Sequence, residues 1–433
     1  MTLRPFGFAC LLLCALQSAV LAAEITVIRA GHVFNPRTGE MEPDRAVVVE
    51  NGLIARVADG NGFSLPDGAR IIDLSRSWVL PGLIDCHVHL VSDKGGVERT
   101  LSGLSESVAA HAYEAAVNAR KTLEAGFTTV RNLGDRDGVT LALRDAIAAG
   151  KVPGPRILDA GTSISTTSGH MDPKLGFREE FHEALDRHDN VVDGVDECRK
   201  AVRLQIGRGA DVIKIATTGG VNSRAGLGLG QQMFEDEARA IVETARLYGR
   251  KVAVHAHGAD GVVVALKAGA ASIEHGTMLT EEAIELFLKT GAYYVPTLST
   301  VNGYIERIAN NPNAYEPAVR EKIEWRIRIT GESLRKVFPR GVKIAFGTDA
   351  GVSKHGRNAQ EFQLMVKHGM PPAEAIKAAT LNAADLLGLA DQIGALEPGL
   401  QADLIAVPAN PLDEIAVLEN VSFVMKGGTV FKD

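Results

Sequence analysis

The spacing of apolar and polar positions changes in regular blocks along the centre of the chain. Eight short apolar runs are separated, for the most part, by longer stretches whose apolar positions recur at helical spacing. The runs cover residues 78–90, 127–135, 156–165, 210–220, 251–258, 271–277, 292–300 and 342–351. Strands that alternate with helices are typical of parallel βαβ units. Eight such units predict an α/β fold, a (β/α)8 TIM-like barrel over residues 77–394.

Both ends of the chain contain short β-branched runs broken by turn residues. Residues 25–74 include the dipeptide Asn51-Gly52, which is typical of a hairpin between two strands. The last thirty residues have the same character, with Gly427-Gly428 as a turn. We therefore predict that residues 24–76 and 395–433 together form one small β-sandwich domain. Between the barrel strands and this domain, residues 371–390 predict one further helix.

The first 23 residues have the features of a cleaved signal peptide. Arg4 precedes an apolar stretch over residues 6–20, and small residues follow at Ala22 and Ala23. The apolar stretch is shorter than the roughly 20 residues that cross a bilayer. We therefore predict that residues 1–23 direct export to the periplasm or the medium. No membrane association is expected after cleavage.

Composition excludes several classes of function. The 433 residues are 45% hydrophobic and 23% charged, which is ordinary for a globular protein and excludes a disordered chain. The formal net charge is −7 and no dense lysine and arginine run is present, so no nucleic-acid partner is expected. After the signal segment only Cys86 and Cys198 remain, too few for a disulfide framework.

Polar residues collect at the predicted carboxyl ends of the strands, where barrels of this kind carry their chemistry. His87 and His89 end the first run, and alternation along a strand puts both imidazoles on one side. His255 and His275 end the fifth and sixth runs, and neutral imidazole is a common zinc ligand. Asp349 ends the eighth, where a carboxylate can hold a metal and accept a proton from activated water. Together they predict a metal site.

Lys214 is the unusual residue of the fourth run, because a lysine inside an apolar strand is costly unless its charge is neutralised. Taken alone, it is best explained as an ammonium that snorkels or pairs with a carboxylate. The alternative is a lysine carboxylated by carbon dioxide, whose two oxygens can bridge two metal ions.

The order of these residues resembles the amidohydrolase superfamily in its binuclear form. The flanking motifs agree: residues 81–85 read PGLID, residues 347–349 read GTD, and residues 394–399 read GALEPG. Residues 129–134 (TVRNLG) and 214–221 (KIATTGGV) resemble the imidazolonepropionase-like branch, which includes Xaa-Pro and Xaa-Arg/Lys dipeptidases and ochratoxinases. The resemblance covers nearly the whole chain after the signal segment.

The resemblance implies a complete metal centre with two divalent ions, most simply Zn²⁺. His87, His89 and Asp349 would hold the more buried ion, and His255 and His275 the outer one. Lys214, carboxylated on its side-chain nitrogen, would bridge the two ions. It also implies a homo-oligomer, with an octamer as one candidate form.

The implied activity is hydrolysis of the amide between an acyl group and a C-terminal amino acid. Ochratoxin A (cleaved to ochratoxin alpha and phenylalanine), N-acyl amino acids and dipeptides are the expected substrates. An Xaa-Pro or Xaa-Arg/Lys dipeptidase, a cyclic-amide hydrolase and a deaminase are the alternatives within the branch. A non-catalytic scaffold is a third reading, opposed by the intact ligand set. Residues 220–226 contain no tyrosine to hold a substrate carboxylate, which argues against strict dipeptide specificity.

Further residues are candidates for substrate contact. His257 lies on the same strand side as His255 and could polarise the scissile carbonyl as a catalytic residue or bind a carboxylate. His170 is either a substrate contact or a solvated loop histidine. Arg224, in a glycine-rich run, either meets an anionic substrate or is solvated. The other histidines are expected at the surface; they include His111, His182, His188, His355 and His368.

Overall fold

The computed structural model describes residues 25–134, 137–186, 190–224 and 228–433. The predicted signal segment, residues 1–23, lies outside the described residues. The strands β1 to β14 are Ile25–Asn35, Glu40–Glu50, Leu53–Asp59, Arg70–Pro81, Leu83–Val88, Phe127–Asn132, Arg156–Asp159, Val212–Ala216, Lys251–Ala256, Ser272–His275, Tyr293–Val295, Leu404–Val407, Phe423–Lys426 and Thr429–Lys432.

Helices fill most of the space between the central strands. The α-helices α1 to α14 are Gly96–Ser105, Val108–Glu124, Val139–Ala148, His182–Leu185, Val195–Gly207, Glu235–Leu247, Ala259–Ala268, Glu281–Thr290, Thr300–Asn310, Pro317–Arg328, Glu332–Val337, Gln360–Lys367, Pro372–Ala378 and Leu381–Leu387. Short 3₁₀ turns occur at Glu179–Phe181, Phe338–Arg340 and Ile415–Glu419. None of the described helices combines the length and apolar character needed to cross a bilayer.

Strands from the two ends of the chain share one seven-stranded sheet. Its order is β14-β13-β12-β4-β1-β2-β3, and β12 from the C-terminal part pairs antiparallel with β4. The predicted hairpin turns are present: Asn51 and Gly52 have φ of 51° and 81°, and Gly427 and Gly428 also have positive φ. Strand spacing and turn chemistry thus placed these elements correctly.

Seven of the eight predicted central strands are present, in two parallel sheets. The orders are β5-β6-β7 and β11-β10-β9-β8. Single parallel bridges continue the pairing from one sheet to the other, at Ile164↔Ile215, Tyr294↔Ile344 and Val88↔Ala350. Helices pack against these strands, and Ile213, Val254 and Phe346 are wholly buried in the common core.

The eighth run, residues 342–351, makes bridges but no regular strand. Asp349 has φ of 57°, in the left-handed region, so the backbone cannot continue an extended ladder there. The run is still tied to β5, because Cys86 N donates to Phe346 O and Asp349 N donates to His87 O, at 2.9 and 2.7 Å.

Two predicted elements are divided in the structure. The first run belongs to both β4 and β5, which Gly82 separates; a Cβ at Gly82 would lie 2.2 Å from Thr128 Oγ1, so only glycine permits this approach. The predicted helix over residues 371–390 was wrong as a single element. It is α13 and α14, interrupted at Thr380, whose φ and ψ of −130° and −97° are not helical.

Candidate functional site

The strand ends bring the six predicted metal ligands to one place. They line a common cavity of about 450 Å³ at the carboxyl ends of the parallel strands. They are His87, His89, Lys214, His255, His275 and Asp349. His257, His170 and Arg224, the predicted substrate contacts, line the same cavity. The geometry thus unites residues that are far apart in the chain.

Asp349 lies close to both His87, which is in β5, and His89, which directly follows the end of β5. Its Oδ1 is 3.5 Å from His87 Nε2 and 3.3 Å from His89 Nε2. One nitrogen each from His87 and His275 and one oxygen of Asp349 lie within 4.8 Å of one another. Three donor atoms at this spacing, from buried side chains, can converge on one ion.

A second group of donors adjoins the first. His255, His257 and His275 present ligand atoms within 4.8 Å of one another. The ring centroids of His255 and His275 are 4.6 Å apart, and His170 stacks on His255 at 4.1 Å. Because His275 belongs to both groups, the donor set is continuous across the floor of the cavity.

Each of four rings is oriented by a hydrogen bond at its Nδ1. The partners are Glu274 Oε2 for His87 (2.9 Å), Thr297 Oγ1 for His275 (2.7 Å), Thr277 Oγ1 for His257 (2.8 Å) and Ser223 Oγ for His170 (2.7 Å). Such contacts fix the ring plane and direct the remaining nitrogen into the cavity. Sequence reasoning missed these four partners, although Glu274 directly precedes His275 on β10.

Burial keeps the imidazoles neutral. Burial and then the charge of Lys214 lower the pKa of His87 to about 4, and the same two causes lower the pKa of His170 to about 3. Burial also holds the pKa values of His255, His257 and His275 well below the usual range. A neutral imidazole is the form that binds a metal, so at pH 7 no proton competes for these nitrogens.

Lys214 has no partner for its amine. Its Nζ is buried and makes no hydrogen bond to any described group. Burial lowers the pKa of this amine to about 8, which leaves part of it neutral near physiological pH. A buried amine without a partner costs free energy, so this position is unexplained by protein contacts alone. Imidazole nitrogens, a carboxylate and a modifiable amine together fit divalent ions such as Zn²⁺.

Asp349 is a carboxylate at neutral pH. Burial alone would raise its pKa, but His87, His89 and Lys214 nearby hold that pKa below its usual range. The backbone here is strained, since Asp349, His275 and Thr297 have φ of 57°, 72° and 47°. The surrounding hydrogen bonds hold the three residues in these conformations.

A charged network lies directly beneath the site. Arg131 Nη2 donates to Glu274 Oε1 at 2.8 Å, and Arg131 Nε donates to Cys86 O at 2.6 Å. Burial would raise the pKa of Glu274, but Arg131 and His87 lower it to about 2. The carboxylate therefore stays ionised and accepts from His87 Nδ1–H, which leaves His87 Nε2 as the free lone pair.

Arg224 has its charge offset within the protein. Its Nη2 donates to Glu316 Oε1 at 2.6 Å, and its guanidinium lies 4.3 Å above the ring of Phe177. The predicted role of Arg224 toward an anionic substrate stays a prediction, but the contact with Glu316 reduces the positive charge available for it.

The expectation of surface histidines was wrong for three of them. His111, His355 and His368 are at most 7% exposed. His355 is hydrogen-bonded to the backbone oxygen of His89 and to Thr122 Oγ1, both at 3.1 Å. It therefore supports the backbone that carries His89. His182 is half-buried, and His188 lies outside the described residues.

The chain belongs to the amidohydrolase family, whose family model matches residues 78–431. It is accordingly a hydrolase of amide or peptide bonds, and its structural neighbours are of the TIM-barrel type. Identity to the ochratoxinase of Aspergillus niger is 35% over 95% of this chain and 87% of that protein. The crystal structure of that ochratoxinase superposes with a TM-score of 0.82, at 33% identity, over 95% of this chain and 96% of that one.

Two other relatives agree with this family. A crystal structure of a Xaa-Pro dipeptidase with methionine bound in its active site has a TM-score of 0.89 and 40% identity, covering 95% of this chain and all of that one (100%). An imidazolonepropionase of Salinispora tropica is 26% identical over 87% of this chain and 90% of that protein. The resemblance drawn from sequence motifs is thereby confirmed.

Proposed function

We propose that this protein is a binuclear metal-dependent amidohydrolase that releases a C-terminal amino acid from an acyl or peptidyl group. The observation that carries the proposal is the orphaned, buried Lys214 amine among neutral histidines and an ionised aspartate. Carboxylation of the neutral amine by carbon dioxide, with loss of a proton, would give it two anionic oxygens. Two divalent ions, most simply Zn²⁺, would then satisfy every donor at the floor of the cavity.

The substrate class rests on the cavity and on two relatives. The A. niger relative is an ochratoxinase, and the dipeptidase structure at 40% identity holds a free amino acid in its active site. In this chain the outer wall of the cavity includes Val97, Leu104, Phe177 and Leu185, which suit an apolar or aromatic acyl group. N-acyl aromatic amino acids such as ochratoxin A, and dipeptides, are the expected substrates.

The residues of the chain have distinct tasks in the proposed reaction. Bound metal would supply Lewis acidity and an acidified water. Asp349, ionised and next to His87 and His89, accepts the proton of the attacking water and returns it to the leaving nitrogen. When its Nδ1 accepts from Thr277, His257 presents Nε2–H to the cavity and donates to the scissile carbonyl. His170, oriented by Ser223, contacts the substrate beside His255.

We also infer the finer architecture. The bridges at Ile164↔Ile215, Tyr294↔Ile344 and Val88↔Ala350 support closure of the parallel strands into a (β/α)8 barrel. A separate apolar cluster within the seven-stranded sheet, including Ile28, Val47 and Leu404, supports a small β-sandwich built from both chain ends. Export through the segment 1–23 and assembly into a homo-oligomer remain part of the proposal.

A substrate panel followed by mass spectrometry tests the function. The zinc-loaded mature protein would be given ochratoxin A, N-acyl amino acids, Xaa-Pro and Xaa-Arg dipeptides, and cyclic amides. We expect release of a free C-terminal amino acid, abolished by a chelator and restored by zinc. Loss of ammonia, or ring opening without amino-acid release, would replace the proposal with a deaminase or a cyclic-amide hydrolase. No turnover of any compound by protein with two bound metal ions would contradict the substrate class.

A further inference from the structure

Among the described residues, six lysine and arginine side chains line the cavity, and most of them already interact with other groups of the protein. They are Lys94, Arg99, Lys214, Arg224, Arg307 and Arg326. Lys94 Nζ is 2.6 Å from Glu106 Oε1 and also contacts Glu114, and Arg224 pairs with Glu316. A cation that is already neutralised attracts a substrate anion weakly, so these two are poor anion sites.

Two of the arginines donate hydrogen bonds to nearby protein oxygens, most of them backbone carbonyls. Arg307 Nη2 donates to Asp93 O at 2.6 Å, and its Nη1 donates to Val352 O, so Arg307 fastens two loops at the rim. Arg326 is only 3% exposed and its nearest acceptors are Thr330 Oγ1 and Thr297 O, at 3.3 and 3.5 Å. Lys214 belongs to the proposed metal centre.

Arg99, on the first turn of α1, is different. It is exposed to solvent while it lines the cavity, and within the described parts of the chain no carboxylate pairs with it. Asp349 and the phenols of Tyr304 and Tyr315 are close enough to interact electrostatically with the guanidinium. An arginine remains protonated at any physiological pH, so the cavity holds a permanent, accessible cation near the reaction centre.

Tyr304 adds a neutral donor beside this cation. Its side chain is 4% exposed and lines the cavity, and its oxygen accepts from Asn222 Nδ2 at 3.1 Å. Among the described residues no acceptor takes the proton of this hydroxyl, and burial raises the pKa of the phenol, which keeps the proton in place. Asn222 belongs to the loop after Lys214 that lacks a tyrosine. The phenol absent from that loop is therefore supplied by α9.

We infer that Arg99 and Tyr304 form the receptor for the substrate's terminal carboxylate, which makes the enzyme selective for amides of amino acids with a free carboxyl group. The inference rests on the proposed function and names a specificity-determining pair within the same cavity. Guanidinium and phenol donors together suit the two oxygens of a carboxylate. The carboxylate is then held on the α1 side of the cavity, and the scissile amide lies toward Asp349.

The test compares one substrate with and without its negative charge. N-benzoyl-L-phenylalanine and N-benzoyl-L-phenylalaninamide differ only in carboxylate against carboxamide, and benzoate release is measured for both. The proteins are the zinc-loaded wild type and the variants R99Q, R99K and Y304F. R120Q is the matched control, because Arg120 is exposed on α2 and pairs with Glu124.

We expect the wild type to prefer the carboxylate, and R99Q to lose that preference. A lost charge-assisted hydrogen bond corresponds to roughly a 10- to 100-fold rise in KM for the carboxylate substrate. The rate with the carboxamide should change less than twofold, R99K should be intermediate, Y304F should lose about tenfold, and R120Q should match the wild type. Metal content should be the same in all five proteins.

Two results would overturn the inference. One is an undiminished carboxylate preference in R99Q. That result would mean that another cation binds the carboxylate, and Arg326 would be the next candidate. The other is an equal loss with both substrates, which would make Arg99 a structural residue.

A binding measurement separates this inference from the proposed function. Calorimetry with L-phenylalanine and L-phenylalaninamide needs no turnover. Arg99-dependent preference for phenylalanine, together with no hydrolysis of any panel compound, would overturn the proposed function and leave the carboxylate receptor standing. Hydrolysis with no Arg99 dependence in either assay would support the proposed function and overturn the carboxylate receptor.

Discussion

At the scale of single residues, the site depends on a few side chains whose protonation is set by burial. Lys214 and Asp349 are both buried, yet one is an orphaned amine and the other an ionised carboxylate. The difference arises because Asp349 has His87 and His89 as partners and Lys214 has no hydrogen-bonding partner among the described groups. Substitutions at these two positions should therefore affect turnover and metal content differently.

Asp349→Asn should abolish most turnover. The amide cannot accept the proton of the attacking water, so kcat should fall by about 10³-fold, within the range for losing a general base. Turnover of an N-acyl amino acid from the substrate panel would be followed at saturating zinc, with bound metal measured in parallel. A kcat near that of the wild type, with metal retained, would contradict the role of Asp349.

Lys214→Ala should lose metal and activity together, because it removes the bridging group that the proposal requires. Elemental analysis should find less than two ions per chain, and added acetate or propionate should restore part of both properties. Lys251→Ala is a matched control. Lys251 begins β9, at the end of that strand opposite to the candidate site, and it donates to Asp385 O and Leu386 O. Full metal content in Lys214→Ala would rule out a bridging lysine.

At the scale of elements, helix α12 is fastened to the segment that follows β11. Glu361, near its start, accepts from the backbone N–H groups of Leu298 and Ser299, at 2.8 and 2.6 Å. These residues directly follow Thr297, which orients His275. A buried carboxyl group on one helix thus positions the segment after β11, whose Thr297 orients the candidate ligand His275 on β10.

Glu361→Gln should change the pH dependence of stability. Burial raises the pKa of Glu361 to about 7 from its ordinary 4.5. The folded protein then holds more protons than the unfolded chain, so this contribution is complete below pH 4.5 and is lost as pH rises through about 7. Between pH 5 and pH 8 the wild type should lose on the order of 1–3 kcal/mol relative to the variant.

Urea unfolding at several pH values measures this difference. The variant should be less stable at low pH, because glutamine replaces a well-bonded acid, and the gap should narrow toward pH 8. Glu321→Gln, at an exposed position of α10, should follow the wild type throughout. A gap that stays constant with pH would show that Glu361 does not titrate in this range.

At the scale of the whole molecule, the parallel central strands and the seven-stranded sheet are joined by a partly buried ion pair. Arg156 Nη1 at the start of β7 lies 2.9 Å from Asp403 Oδ2, just before β12. Asp403 is 4% exposed and its other oxygen accepts from Gly427 N at 2.8 Å. This junction lies at the ends of the strands opposite to the candidate site.

Asp403→Asn should destabilise the protein and leave its chemistry intact. Arg156 would lose its ionised partner, which should lower the free energy of unfolding by about 1–3 kcal/mol. Values of kcat/KM measured well below the unfolding temperature should match the wild type, and Asp413→Asn on the surface should change neither property. Lower activity in the folded variant would mean that the sheet influences the distant site.

The sequence predicted the central strands, and the clustering of polar side chains at their ends, better than it predicted the residues that support those side chains. Periodicity located seven of the central strands, and the position of each histidine after an apolar run brought His87, His255 and His275 together correctly. Periodicity could not reveal the left-handed backbone at Asp349, since the strand there is broken by tertiary contacts. Nor could it place Arg99 or Tyr304, because their elements reach the cavity only through the packing of helices.

The pairing of β4 with β12 has a consequence for how the protein is made. The paired residues Trp78 and Val407 are more than 300 positions apart in the sequence. Bringing these two strands together therefore closes a very long loop, and this step is slow unless the intervening segment is already folded. Until the last strands are synthesised, β4 presents an unpaired edge, which favours aggregation. The strand that leads into His87 and His89 therefore keeps an unpaired edge until β12 has emerged from the ribosome.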